Sequence, residues 1–105
     1  MIKHMQALSD PTRFAILELL RDNELPAGKI AEHFPSISRP AVSQHIRILK
    51  DCNLLWERRE GTKRLYRLRR KGFYDIHRFM EDFWSAGEKT NSENAKPLQD
   101  NSRAA

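Results

Sequence analysis

The sequence predicts a mainly α-helical domain with one small β-hairpin, on the basis of two observations. Apolar residues recur at helical spacing in five separate segments, whereas residues 54–68 alternate around a glycine-containing turn. The chain has 105 residues, of which 31% are charged. This length suits one domain, which we place at residues 1–85, followed by a polar tail at residues 86–105 that we expect to be disordered.

The first two helices are predicted from their spacing and from a cap. A short amphipathic helix has apolar residues three apart, at Ile2, Met5 and Leu8. Asp10 followed by Pro11 then forms a cap and first-turn pair that opens the second helix. Its expected buried face is broad and comprises Phe14, Ile16, Leu17, Leu19 and Leu20.

A short third helix, a tight turn and a capped fourth helix follow. The third helix is expected over residues 27–34, with Pro35 ending it. Ser38 has the side chain of a helix cap, and Pro40 is tolerated in the first turn of the fourth helix. Apolar residues expected to face the core from this helix are Val42, Ile46 and Leu49.

The opposite face of the fourth helix is almost entirely polar. It carries Arg39, Pro40, Ser43, Gln44 and Arg47. Arginine pairs with guanine, glutamine with adenine and serine with either, so these side chains suit base edges in a DNA major groove. Any surface helix exposes such residues, but their arrangement after a short helix and a tight turn is the helix-turn-helix plan.

The hairpin that follows has a basic tip. Two alternating runs surround Gly61 and read as antiparallel strands. Four cations surround this turn, namely Arg58, Arg59, Lys63 and Arg64. A basic hairpin after a helix-turn-helix is typical of a wing, which contacts phosphates or the minor groove beside the site that the helix reads.

Positive charge is concentrated in the same part of the chain. Residues 38–71 contain 11 Lys and Arg against 3 Asp and Glu, whereas the whole chain has a net charge of +5. One alternative is that this basic stretch is only a solvated charged face with no ligand. The concentration nevertheless favours a polyanion, and double-stranded DNA is the expected partner.

Two apolar stripes at the ends of the domain predict a homodimer. The last helix carries more large apolar residues than one small core needs. The residues expected at a two-fold interface are Ile2, Met5, Leu8, Phe73, Ile76, Met80 and Phe83. Two alternatives are that they cover the core of one chain, or that the protein is an interaction module whose last helix binds a different protein.

Several function classes are excluded or disfavoured. We expect no membrane span and no signal peptide, and the single cysteine, Cys52, cannot form an internal disulfide, so a cytoplasmic protein is expected. Ser43 and His45 are two positions apart on a helix and point in different directions, so they cannot form a nucleophile and base pair. With no phosphate-binding glycine loop and no paired carboxylates in a cleft, an enzyme is not expected.

Four segments together resemble the ArsR family of winged-helix bacterial repressors. They are ALSDPTR at 7–13, AGKIA at 27–31, SRPAVSQHI at 38–46 and RREGTKRLY at 58–66. The resemblance covers about residues 2–84 and is greatest to the SdpR-like, metal-independent subset. It implies a homodimer that pairs its first and last helices and binds an inverted-repeat operator at its own or a neighbouring promoter.

Departures from the family pattern argue against a metal cofactor. The metal-sensing members carry two thiolates at positions where this chain has Pro26 and Gly28. Asp75 and His77 match the first half of a second family site, but Glu88 and Asn91 at the distal positions complete a poor tetrahedral set. We therefore expect no metal and no cofactor, while an effector or protein partner of unknown identity stays open.

Overall fold

The computed structural model describes the backbone of residues 1–90 and the side chains of residues 1–85. Five helices and three strands follow in the order α1 (Ile2–Ser9), α2 (Pro11–Leu20), β1 (Leu25–Pro26), α3 (Ala27–Glu32), α4 (Arg39–Asp51), β2 (Leu55–Glu60), β3 (Lys63–Leu68) and α5 (Arg70–Thr90). The predicted mainly helical fold with a small hairpin is confirmed. Within residues 1–90, none of the helices is long and apolar enough to cross a bilayer.

One hydrophobic core joins the first four helices to the sheet. Its fully buried side chains include Ile16, Leu20, Ile30, Val42, Leu49, Leu54 and Leu55. The prediction that Phe14 belongs to this core is wrong, because its side chain is 50% exposed. The inward face of α2 runs through Arg13, Ile16, Leu17 and Leu20, at helical spacing, and this spacing turns Phe14 outward with Glu18.

The sheet has a third strand that sequence reasoning did not find. The strand order is β1-β3-β2, and all neighbours are antiparallel. Strand β1 has two residues, with Leu25 opposite Tyr66 and Pro26 opposite Leu65. Helix α3 begins at Ala27 as predicted but ends at Glu32, two residues earlier than expected. A two-residue strand is too short to show alternation in sequence.

The last helix extends beyond the predicted domain boundary. We expected the domain to end at residue 85, whereas α5 continues to Thr90. The remainder of the predicted tail, residues 91–105, lies outside the described residues.

The start of α5 meets the turn that follows α4 through backbone atoms. The Gly72 N–H donates to the Asn53 carbonyl at 2.7 Å, and the Arg69 N–H donates to the Leu54 carbonyl at 2.9 Å. A Cβ atom on Gly72 would lie 2.6 Å from the carbonyl oxygens of both Asn53 and Cys52. This close approach therefore requires glycine at position 72.

Candidate nucleic-acid interface

Helix α4 presents the predicted base-reading residues to solvent. Its N-terminus is capped by Ser38, whose Oγ accepts the Ala41 N–H at 3.2 Å, with proline in the first turn. Val42, Ile46 and Leu49 are buried, as predicted. The residues exposed on the other side are Arg39, Pro40, Ser43, Gln44 and Arg47. The structure therefore brings all five onto one accessible face.

The turn before α4 places Arg39 against α3. The Ile37 N–H donates to the Phe34 carbonyl at 3.2 Å, which closes the connection between the two helices. A Cβ on Gly28 would lie 3.1 Å from Nη2 of Arg39. The Arg39 guanidinium thus lies beside the start of α3.

The hairpin forms a wing with a two-residue turn. Strands β2 and β3 place Arg59 opposite Arg64 and Glu60 opposite Lys63. Gly61 has a φ of 63°, a conformation that a type II′ turn requires at its first central residue. All four predicted wing cations are exposed, and all four lie near this tip.

The four wing cations are not equally available to a ligand. Arg58 donates two hydrogen bonds to Glu24, at 2.9 and 2.8 Å, and lies 3.6 Å from Glu60. Arg64 lies 3.7 Å from a carboxylate oxygen of Glu57. Among the described residues, Arg59 and Lys63 form no ion pair. Arg59 and Lys63 are therefore the two wing cations most available to a ligand.

Glu57 connects the recognition helix to the wing, and sequence reasoning missed it. Lys50 Nζ, in the last turn of α4, donates to its carboxylate at 2.7 Å, and the Tyr66 hydroxyl donates at 3.4 Å. The hydrogen bond from Lys50 lowers the pKa of Glu57, against the effect of burial, and the charges of Lys50 and Arg64 lower it further. This ionised carboxylate fixes the base of the wing relative to α4.

Trp56 forms a second feature of the wing that the sequence did not reveal. Its ring is covered by the guanidinium groups of Arg69, at 3.9 Å from the centroid, and Arg67, at 5.7 Å. Such cation–π contacts hold the positive charge against an otherwise exposed indole. These two arginines lie at the base of the hairpin, away from its basic tip.

The seven predicted dimerisation residues divide into two groups. Leu8, Phe73 and Ile76 pack partly buried against the core of their own chain, and Met5 is half-buried. The strongly exposed members are Ile2 at 68%, Met80 at 58% and Phe83 at 74%. Phe79 and Trp84 are also exposed on α5, and the ring of Phe79 stacks on Phe83 with centroids 6.3 Å apart.

Asp75 and Cys52, the candidates for metal and thiol chemistry, lie in surroundings that suit a structural role. Lys71 Nζ donates to both carboxylate oxygens of Asp75 at 3.2 and 3.1 Å. In the described part of the chain, no three His, Cys, Asp or Glu side chains lie close enough to hold a metal ion; the side chains of Glu88 and Asn91 lie outside it. Cys52 is buried, and burial raises the pKa of its thiol.

A helix-turn-helix with an exposed polar recognition face and a basic wing defines the class of winged helix-turn-helix proteins. A family model described as "Helix-turn-helix domain" matches residues 8–56. The chain is 40% identical over 83 residues to the transcriptional repressor SdpR of Bacillus subtilis, covering 79% of this chain and 91% of that protein. It is 42% identical over 80 residues to the regulator Rv2034 of Mycobacterium tuberculosis, covering 76% and 74%.

Solved structures agree with these relatives. A possible transcriptional regulator for arsenical resistance superposes with a TM-score of 0.70 at 33% identity, covering 80% of this chain and 86% of that one. An ArsR-like regulator from Rhodococcus sp. RHA1 has the same fold, with a TM-score of 0.78, 24% identity and coverage of 94% and 90%. The chain belongs to the ArsR family of winged-helix repressors and is a DNA-binding transcriptional regulator.

Proposed function

We propose that the protein represses transcription as a homodimer that binds an inverted-repeat operator. The observation that carries this proposal is the single exposed face of α4, where Ser43, Gln44 and Arg47 lie opposite the buried Val42 and Ile46. Side chains of this chemistry recognise base edges from a helix in the major groove. The unpaired wing cations Arg59 and Lys63 supply phosphate contacts beside it.

The exposed apolar surface of α1 and α5 supports the homodimer. Two recognition helices enter successive major grooves on one side of DNA when a two-fold interface holds them about 34 Å apart. Such an interface has to lie away from the basic face. Ile2, Met80 and Phe83 are exposed on the terminal helices, and burying them against a second copy removes apolar surface from water.

The proposed function also has consequences for enzymatic activity, cellular location and metal dependence. We infer that the protein is not an enzyme, since the exposed polar face of α4 suits base edges and Ser43 and His45, two positions apart on that helix, form no nucleophile and base pair. We infer a cytoplasmic location from the same proposal, since a regulator of this kind acts on the chromosome. Pro26 and Gly28 stand where metal-sensing members carry thiolates, so we expect operator binding to be the same with zinc as with a chelator.

The test is to select bound duplexes from fragments of the source genome and to footprint the protein on them. We expect two protected half-sites related by two-fold symmetry, with centres about 10 base pairs apart or a multiple of this. Contacts to six to eight phosphates per dimer predict a slope of about −5 to −7 for log K against log salt concentration. A slope near zero on every duplex would contradict DNA binding by the wing and α4.

One observation favours a second candidate function, an interaction module that binds a different protein. Phe79, Met80, Phe83 and Trp84 form an exposed apolar surface near the end of the described side chains, and a different protein could bind there instead of a second copy. An interaction module of that kind has no need for a wing tip with four cations. Sedimentation of the purified protein without DNA separates the two, since only the homodimer requires self-association.

A further inference from the structure

Arg13, at the start of α2, contacts three helices at once. Its backbone N–H is held by the capping carboxylate of Asp10 at 3.0 Å. Its guanidinium forms three further hydrogen bonds, two to α1 and one to α4. The side chain is half-buried, and none of the functions assigned so far uses it.

Two of these bonds cap the C-terminus of α1. Nε of Arg13 donates to the carbonyl of Ala7 at 3.0 Å, and Nη2 donates to the carbonyl of Gln6 at 3.2 Å. The last carbonyls of a helix have no partner within it and carry partial negative charge, so a cation there satisfies and stabilises them. Arg13 thereby fixes the start of α2 to the end of the predicted dimerisation helix α1.

The third bond fixes the recognition helix. Nη1 of Arg13 lies 3.2 Å from Nδ1 of His45, in the middle of α4. A guanidinium has donors but no acceptor, so Nδ1 must offer its lone pair to Arg13. The His45 side chain is 21% exposed, and its Nδ1 also lies 4.0 Å from Asp10. His45 thus points inward immediately beside the exposed Gln44.

Apolar packing alone does not fix the rotation of α4 about its axis. Val42, Ile46 and Leu49 hold the helix on the core, but contacts of this kind are non-directional. Side chains end about 6 Å from the axis of a helix, so a rotation of about 10° moves them by about 1 Å. On a single half-site the whole subunit shifts to restore its hydrogen bonds, but in a dimer held through α1 a displacement of that size takes a bond to a base edge out of range. The directional bond at His45 opposes such a rotation in the middle of α4, as the bond from Lys50 to Glu57 does in its last turn.

We propose that Arg13 and His45 are positioning residues that set the orientation of α4 relative to α1, and so determine which half-site separation the dimer accepts. The proposal rests on the homodimer argued above, in which α1 contacts the partner subunit. Removing either side of the pair leaves the base-reading side chains and the wing in place. The two α4 helices of the dimer then no longer keep a fixed distance and orientation relative to each other.

The experiment uses the full chain and the duplex that it selects from genomic fragments. Two further duplexes have one base pair added or removed between the half-sites, and a fourth carries a single half-site. The variants are Arg13→Gln and His45→Leu, which break the contact. His45→Asn restores an acceptor near the position of Nδ1, and Arg21→Gln removes an exposed cation from the end of the same helix as a matched control.

We expect the wild type to bind the selected duplex about tenfold more tightly than either altered spacing, a coupling of ordinary size. In Arg13→Gln and His45→Leu this ratio falls towards one, while binding to the single half-site stays within about threefold. His45→Asn and Arg21→Gln keep the wild-type ratio. Circular dichroism and sedimentation verify that each variant is folded and dimeric.

An unchanged spacing ratio in folded, dimeric His45→Leu would overturn the proposal, even if Arg13→Gln lost α1 through its missing cap. A ratio that falls in His45→Leu and is not restored by His45→Asn would also overturn it, because the acceptor would then be irrelevant. Failure of the proposed function has a different signature. In that case the wild type itself is monomeric or binds all spacings equally.

Discussion

At the scale of single residues, we propose that base reading and phosphate binding belong to different side chains. Gln44 is exposed on α4, whereas Lys63 is exposed at the wing tip. We expect Gln44→Ala to cost about 1–3 kcal/mol per half-site on the operator and little on random DNA. Lys63→Ala should weaken both equally. Fluorescence anisotropy with both duplexes measures the two losses, and equal ratios of specific to random binding in the two variants would contradict this division.

Glu24 limits the positive charge that the wing offers. Its carboxylate accepts two hydrogen bonds from Arg58 and lies 3.7 Å from Arg67. The bonded Arg58 guanidinium lowers the pKa of Glu24, against the effect of burial, with help from the charges of Arg58 and Arg67. The carboxylate is therefore ionised at neutral pH and holds Arg58 away from a ligand.

Replacing Glu24 with glutamine should release Arg58. We expect Glu24→Gln to bind random duplex DNA more tightly and to steepen the salt dependence by about one unit per subunit, because one more phosphate is contacted. Glu18→Gln is the matched control, since it makes the same charge change on the exposed side of α2. If both variants gain the same affinity and slope, net charge rather than Arg58 is responsible.

At the scale of elements, the cap of α2 gives a stability that depends on pH. The Arg13 N–H bonded to Asp10 lowers the pKa of that carboxyl below the ordinary 3.8, against the effect of burial, and the charge of Arg13 lowers it further. A lowered folded-state pKa adds stability above about pH 4, and this contribution is lost as the pH falls through the folded-state value.

Two substitutions at this cap separate the hydrogen bond from the charge. At pH 7 we expect Asp10→Ala to lower the free energy of unfolding by about 1 kcal/mol, whereas Asp10→Asn keeps most of the cap. The difference between wild type and Asp10→Ala should shrink as the pH falls below 4. Urea unfolding across this range measures it, and a difference independent of pH would show that the carboxylate charge is irrelevant.

Two glycines within helices form a matched pair. A Cβ on Gly72 meets the backbone oxygens of Asn53 and Cys52 at 2.6 Å, whereas a Cβ on Gly28 meets the flexible end of Arg39 at 3.1 Å. We expect Gly72→Ala to destabilise the fold by about 1–3 kcal/mol through overpacking. Gly28→Ala should be neutral or stabilising, because alanine favours helices. Thermal unfolding compares the two variants. Equal melting temperatures would mean that the backbone around Gly72 accommodates a Cβ atom without loss of stability.

The sequence predicted those elements whose signals are local. Asp10 and Ser38 are helix caps in the structure, and the apolar spacing of α4 identified its buried face. Partners distant in sequence could not be predicted, since no local pattern records that Glu24 meets Arg58 or that Lys50 meets Glu57. The same holds for α2, where Arg13 lies on the inward face and Phe14, which was expected there, is exposed.

At the scale of the whole molecule, the predicted dimer depends on the exposed part of α5. Replacing both Met80 and Phe83 with glutamate would bury unpaired charges at the interface, at a cost of several kcal/mol per ion. We expect this double variant to sediment as a monomer, to keep its helical signal and to lose operator binding far more than random DNA binding. Trp56→Glu, on the outer side of the hairpin, should stay dimeric. A double variant that stays dimeric would rule out this face.

The backbone junction between Asn53 and Gly72 has a consequence for how such regulators diversify. Because peptide groups make the contact, substitutions on the outer side of α5 leave it intact, as do substitutions on the exposed side of α4. Distant, independent positions contribute additively. On the proposed homodimer, we therefore expect a duplicated copy of this gene to acquire a new choice of subunit partner without altering the DNA sequence it recognises. Changes on the outer sides of α1 and α5 would then insulate two copies in one cell from each other.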